Sequence, residues 1–191
     1  ASNPILDKWI AFPAPGKVTI FTGRVEFGQG VLTAMAQIAA DALDVPLAAI
    51  SVCSGDTELT PNEGYTSGSH SMQLGGVALR QACADTRALF LAKAADTLQC
   101  DPGTLTVSDG KILRDGAPSG QDYWTLAASV NLSVAATGSG AIRTDNFKAV
   151  GQSSPRLDLP AKVFGQAIFI HDMVIDGMKH ARVVRQPNRG A

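Results

Sequence analysis

The spacing of apolar residues changes twice in the first hundred positions, and each change predicts an element. Trp9-Ile10-Ala11-Phe12 and Lys17-Val18-Thr19-Ile20-Phe21 flank Pro13-Ala14-Pro15-Gly16, which predicts two strands around a turn. From Val31 the period lengthens. Leu32, Met35, Ala39 and Leu43 share one helical face, and the pattern ends near Asp44, before Pro46. Pro46 to Ala49 reads as a turn and Ile50-Ser51-Val52-Cys53 as a strand. Strand, helix and strand in this order predict mixed α/β layers, an α+β fold.

A polar loop opens at Ser54-Gly55-Asp56-Thr57 and runs to Thr66-Ser67-Gly68-Ser69-His70-Ser71. Met72, Gly76, Leu79, Cys83, Thr86, Phe90 and Leu98 then keep helical spacing until Asp101-Pro102-Gly103 stops them. Leu105-Thr106-Val107 and Lys111-Ile112-Leu113 form a hairpin signal around Asp109-Gly110, and Asp122 to Ala128 reads as a short helix. Residues 131–155, rich in Ser, Thr, Gly and Asn, read as a linker. Beyond it, Ala167 to Ile170 and Ala181 to Val184 read as strands around Asp176-Gly177. The expected domains are therefore 1–150 and 151–191. Two strands cannot stand alone, so the second unit reads as incomplete and the chain as a piece of something longer.

Composition narrows the classes. The 191 residues, 45% hydrophobic and 17% charged, suffice for a packed core. A net charge of −1 without a Lys/Arg cluster argues against a nucleic-acid surface. Apolar runs are too short for a membrane span. Cys53, Cys83 and Cys100, like His70, His171 and His180, are scattered, so neither a disulfide framework nor a protein-ligated metal is expected. Cys83 reads as a small buried hydrophobe.

Two segments carry candidate chemistry. Gly28-Gln29-Gly30 precedes the first helix and Thr66 to Ser71 precedes the second. Helix N-termini present unpaired N–H groups and partial positive charge, so together they could form an anion site. The alternatives are a plain tight turn and an N-cap cluster. Ser54 to Thr57 could equally be an Asx-type turn, and Asp56 and Glu63 solvated loop acids. Gly75-Gly76 inside the second helix costs on the order of 2 kcal/mol relative to two alanines, so another helix or a ligand must approach there. No arrangement suits nucleophilic catalysis, and no catalytic residue is assigned.

The run Gly23-Arg24-Val25-Glu26-Phe27-Gly28-Gln29-Gly30-Val31-Leu32-Thr33-Ala34-Met35-Ala36-Gln37 resembles the molybdopterin-binding region of the xanthine dehydrogenase/aldehyde oxidase family. The likeness continues through Ala40 to Leu47, Ser54 to Thr57 and Thr66 to Ser69. It is strong over residues 17–90 and weak over 100–150. Pro155 to Gly165 resembles the start of that family's hammerhead module, here placed after the Gly-Gln-Gly region. This order is similar to the large subunits of the bacterial isoquinoline 1-oxidoreductase and nicotinate dehydrogenase type. Residues 151–191 would then begin a hammerhead-like domain, incomplete at Ala191.

The resemblance implies molybdopterin as cofactor of the full-length subunit, with its cytosine dinucleotide form left open. It places Gly28, Gln29 and Gly30 against the cofactor, with Gln29 near the molybdenum's oxo ligand or the pterin. Thr66, Ser67, Gly68, Ser69 and Ser71 would hold the pterin or its phosphate-bearing tail. The implied reaction inserts a water-derived oxygen into an N-heterocycle or aldehyde. The implied partners are a small subunit carrying 2Fe–2S clusters, the rest of the large subunit and a small-molecule substrate. Two family segments are absent: a Gly-Gly-x-Phe-Gly loop and the Gly-Val-Gly-Glu segment with the catalytic glutamate. The chain by itself is therefore expected to be inactive. The rival expectation is a non-catalytic binding or assembly module. Cytoplasm and periplasm both stay open, since relatives often follow a twin-arginine signal.

Overall fold

A computed structural model describes residues 3–189, which form two compact units divided between Leu157 and Asp158. In the first unit, β1 (Ile10–Ala14) and β2 (Lys17–Thr22) run antiparallel, and β3 (Ile50–Ser54) lies parallel to β2 with Val18 opposite Ile50. α1 (Val31–Leu43) makes the crossover between them. Of the stripe the sequence periodicity marks, Met35, Ala39 and Leu43 are fully buried and Leu32 is half-buried, with Ala36 buried beside them. Val18 and Ile20 meet it from alternate positions of β2. Cys83 is buried and unpaired; desolvation pushes its thiol pKa up, so it is inert.

The second helix opens as a π-helical turn, Ser71–Gly76, and continues as α2 (Val77–Leu98). Phe90 of α2 packs 4.8 Å from Phe12 and 4.9 Å from Tyr123, ring centre to ring centre. Tyr123 donates its hydroxyl to the Leu43 carbonyl at 2.7 Å, which satisfies the polar tip of a buried ring. A second sheet, β4 (Leu105–Ser108), β5 (Lys111–Arg114) and β6 (Ala117–Asp122), is wholly antiparallel. The Asp109-Gly110 hairpin is present, but β6 is an element that the sequence pattern missed, because Pro118 and Gly120 hide it. The short helix expected from Asp122 is α3 (Tyr123–Leu126), with Asp122 at its N-cap. The molecule is an α+β fold of helices and sheets.

Residues 131–155 are not a loose linker. Asp85 of α2 accepts the Gly138 and Gly140 N–H groups at 2.8 and 2.7 Å. Asp41 of α1 accepts those of Lys148 and Val150 at 2.8 and 2.7 Å. Gly140 lies so close to α2 that an added Cβ would fall 2.4 Å from the Ala84 backbone. The segment is thus a strap. Leu132, Val134, Ala136 and Ala149 pack it against the core, and buried carboxylates on the helices hold it by its backbone.

In the second unit the two strands expected at 167–170 and 181–184 do not form. Its described residues contain α4 (Leu159–Val163) and a 3₁₀ turn, Ile170–Asp172, and otherwise no regular structure. Ile170 and Val184 are 84% and 94% exposed. A lone strand pair has no face on which to bury such side chains, so the period-2 pattern is not converted into a ladder.

Candidate functional site

β2, the central strand, ends at Thr22, and residues 23–30 carry the chain from its end to α1. Their geometry is set by one carboxylate. Glu26 accepts the N–H groups of Gly28 at 2.7 Å and Gly30 at 3.0 Å. Arg156 lies against the same oxygen at 3.4 Å and donates to the Gly28 carbonyl at 2.9 Å. Gly28 and Gly30 sit at φ +118° and +78°, where a side chain is strained, and Gly30 is the N-cap of α1. A Cβ on Gly28 would meet nothing within 4 Å, so its outer face is open to a ligand. Gln29 closes the loop: its amide donates to the Val25 carbonyl and accepts from the Phe27 N–H, both at 2.8 Å. Glu26 therefore satisfies the loop amides that an anion would otherwise take. What the loop offers is a bare glycine face and the unused donor and acceptor of Gln29.

The second segment is built differently. Gly68 and Ser69 are consecutive left-handed residues, at φ +58° and +60°. Among the described residues, the N–H groups of Gly68 and Ser69 and the hydroxyls of Ser67, Ser69 and Ser71 enter no hydrogen bond. Ser67, Gly68 and Ser69 are exposed and Ser71 is half-buried. These N–H and O–H groups, gathered within five residues, are donors of the kind that a phosphate or a polar ring edge takes. Thr66 has another role, since its hydroxyl accepts the Val25 N–H at 3.0 Å. That bond brings the two predicted segments side by side.

Beneath them lies a buried ion pair that sequence reasoning missed. Arg24 is 2% exposed and its Nε stands 3.3 Å from Glu63, whose side chain is 5% exposed. Glu63 also accepts from the Thr22 hydroxyl and the Gly23 N–H at 2.6 and 2.7 Å, and Arg24 donates to the Tyr65 carbonyl at 2.7 Å. The signal was Gly75. A Cβ there would fall 2.6 Å from Glu63 and 3.1 Å from Met35, so the glycine admits both the ion pair and α1. Asp56 does not pair with Glu63; it caps the local turn at Glu58 and Leu59, at 2.9 and 3.0 Å.

A cavity of ≈ 790 Å³ opens beside the pair, with Leu74, Val77 and Gln73 among its lining residues, and none of the eight predicted cofactor residues lines it. Among the described residues no group of three or more His, Cys, Asp and Glu is placed to hold a metal ion, and no helix is long and apolar enough to cross a membrane.

A crossover helix is thus entered through a bare glycine loop, beside a second loop of unused N–H and O–H donors. The chain belongs to the molybdopterin cofactor-binding domain family, whose model matches residues 7–183. A nicotinate dehydrogenase subunit of Pseudomonas putida is 34% identical over 183 residues, which are 95% of this chain and 15% of that protein. The beta subunit of isoquinoline 1-oxidoreductase from Brevundimonas diminuta is 25% identical over 222 residues, 95% of this chain and 28% of its own length. Among solved structures, quinoline 2-oxidoreductase from Pseudomonas putida 86 superposes with a TM-score of 0.53 at 25% identity, over 63% of this chain and 15% of that one. The Cu,Mo-CO dehydrogenase superposes with a TM-score of 0.56 at 26% identity, over 66% and 17%. The chain spans less than a third of each of these relatives.

Proposed function

We propose that this chain is the cofactor-holding portion of the large subunit of a molybdenum hydroxylase acting on an N-heterocycle or an aldehyde. The observation that carries the reading is the pairing of two segments, 28–30 and 66–71, in a chain of the molybdopterin-binding family. Ser67, Gly68, Ser69 and Ser71 supply donors for the charged or polar end of molybdopterin. Gln29 faces its neutral edge, and Gly28 and Gly30 let the backbone come close. The bound cofactor supplies the redox chemistry, and the chain's residues hold and orient it. No acid or base for the reaction lies among them.

Relatives named as subunits, including the gamma subunit of a 6-hydroxypseudooxynicotine dehydrogenase complex, support assembly with other chains. A small subunit with 2Fe–2S clusters would be the electron outlet. The domain division near residue 150, with a hammerhead-like unit from 151, belongs to the same proposal.

The test is to purify the subunit that carries this chain, measure its molybdenum and pterin, and follow dye reduction with pyridine-type heterocycles and with aldehydes. Stoichiometric cofactor with heterocycle-dependent reduction supports the proposal. A folded subunit without cofactor or turnover would instead mark a binding or assembly module.

A further inference from the structure

We infer that Arg24 and Glu63 are positioning residues, a buried clamp that sets the spacing between the Gly28-Gln29-Gly30 loop and the 66–71 segment. The inference rests on the proposed function only for what those segments hold; the clamp itself stands on geometry.

Four hydrogen bonds tie residues 22–24 to residues 63–65, across 39 to 41 positions of sequence. Three of them converge on the one Glu63 carboxylate: Thr22 Oγ1, Gly23 N and Arg24 Nε. The guanidinium continues to the Tyr65 carbonyl, one residue before Thr66, and Val25 then bonds to Thr66. The clamp therefore grips both loops just before their ligand-facing residues begin. It is also packed to a fixed depth. Gly23 has no room for a Cβ, which would lie 2.3 Å from the Pro61 carbonyl oxygen, and Gly75 closes the other side against Glu63. A buried ion pair is weak evidence for global stability, but removing one partner leaves the other unpaired and frees what it held.

Glu63→Gln in the full subunit tests this by hydrogen exchange and molybdenum content. The exchange of the Gly23 and Val25 amides, and of peptides over 61–70, should rise about tenfold to a hundredfold, the weight of charge-assisted hydrogen bonds. Exchange within α2 beyond Leu79 should stay unchanged, and retained molybdenum should fall by a similar factor. Gly75→Ala should loosen the same two loops by pushing the carboxylate aside. Gly76→Ala should not, because its tightest new contact is the flexible end of Ile38, at 3.2 Å, while Met72 and the Ser71 carbonyl stay at ordinary contact distances of 3.7 and 3.8 Å. Unchanged loop exchange in Glu63→Gln and Gly75→Ala overturns the clamp. So does loosening of α2 to the same extent, which would make the pair part of the general core. If the wild-type subunit holds no molybdenum, the proposed function fails, while the exchange data still decide the clamp.

Discussion

Gln29 shows how one side chain can serve two purposes. Its amide closes residues 25–29 with two hydrogen bonds, and one donor and one lone pair still face outward. Gln29→Ala therefore removes about 1–3 kcal/mol of loop ordering as well as any bond to the cofactor. Molybdenum per protein should fall about tenfold or more while the thermal midpoint falls by only about 2–10 °C, so that the subunit stays folded at the assay temperature. Gln29→Glu keeps the acceptor for Phe27 and should fall between. Gly30→Val should be worse than either, since a left-handed backbone costs a β-branched residue ~1–3 kcal/mol. Metal analysis of the three purified variants checks the ranking. The Gly-Gln-Gly loop was legible in the sequence because glycine advertises its backbone. Glu26 and Arg156, which hold that loop, were not, because they meet across 130 residues and charge alone names no partner.

At the scale of elements, the strap over α1 and α2 was the least legible feature. Beyond Ala136 its larger apolar residues, Ile142, Phe147 and Val150, keep neither helical nor strand spacing, and Asp41 and Asp85 look in sequence like surface acids of an alanine-rich helix. Burial by itself would raise the Asp85 carboxyl, but the N–H groups of Gly138 and Gly140 and the Gln81 amide hold it below the ordinary carboxylate value. Asp44 follows the same logic, its burial outweighed by Lys148 and Arg143. Because these folded-state values are depressed, the unfolded chain binds more protons in acid. The stabilisation is complete above the ordinary carboxylate pKa of ~3.9 and is lost as pH falls through the lower folded values. Thermal midpoints measured from pH 7 to pH 3 should be flat at first and then fall below about pH 4, with a shallower fall in Asp85→Asn. Asp85→Ala leaves two strap amides unsatisfied and should cost about 2–4 kcal/mol by chemical denaturation.

For the whole molecule, the central sheet, α1, α2 and the hairpin were all predictable from period and turn chemistry, because each is a local pattern closed by its own breakers. The C-terminal strands were not obtained, because their pattern needs partners to become a ladder. The two units differ accordingly: one has a buried core and an anchored strap, the other exposes Phe164, Ile170 and Val184. Trypsin should cut first at Lys179, Arg182 or Arg185, which are exposed and lie outside any helix or strand, before Arg143 and Lys148, which are paired with Asp44. Mass spectrometry of early fragments reads this directly.

The central claim is that segments 28–30 and 66–71 jointly hold molybdopterin. The serines are the cleanest place to ask, since the hydroxyls of Ser67, Ser69 and Ser71 support no hydrogen bond among the described residues. The measurement is molybdenum and pterin per subunit in the triple variant Ser67→Ala/Ser69→Ala/Ser71→Ala, beside its thermal midpoint. The account predicts at least about tenfold less cofactor, from the loss of several ligand hydrogen bonds, with an unchanged midpoint. Full cofactor loading in the triple variant would contradict it.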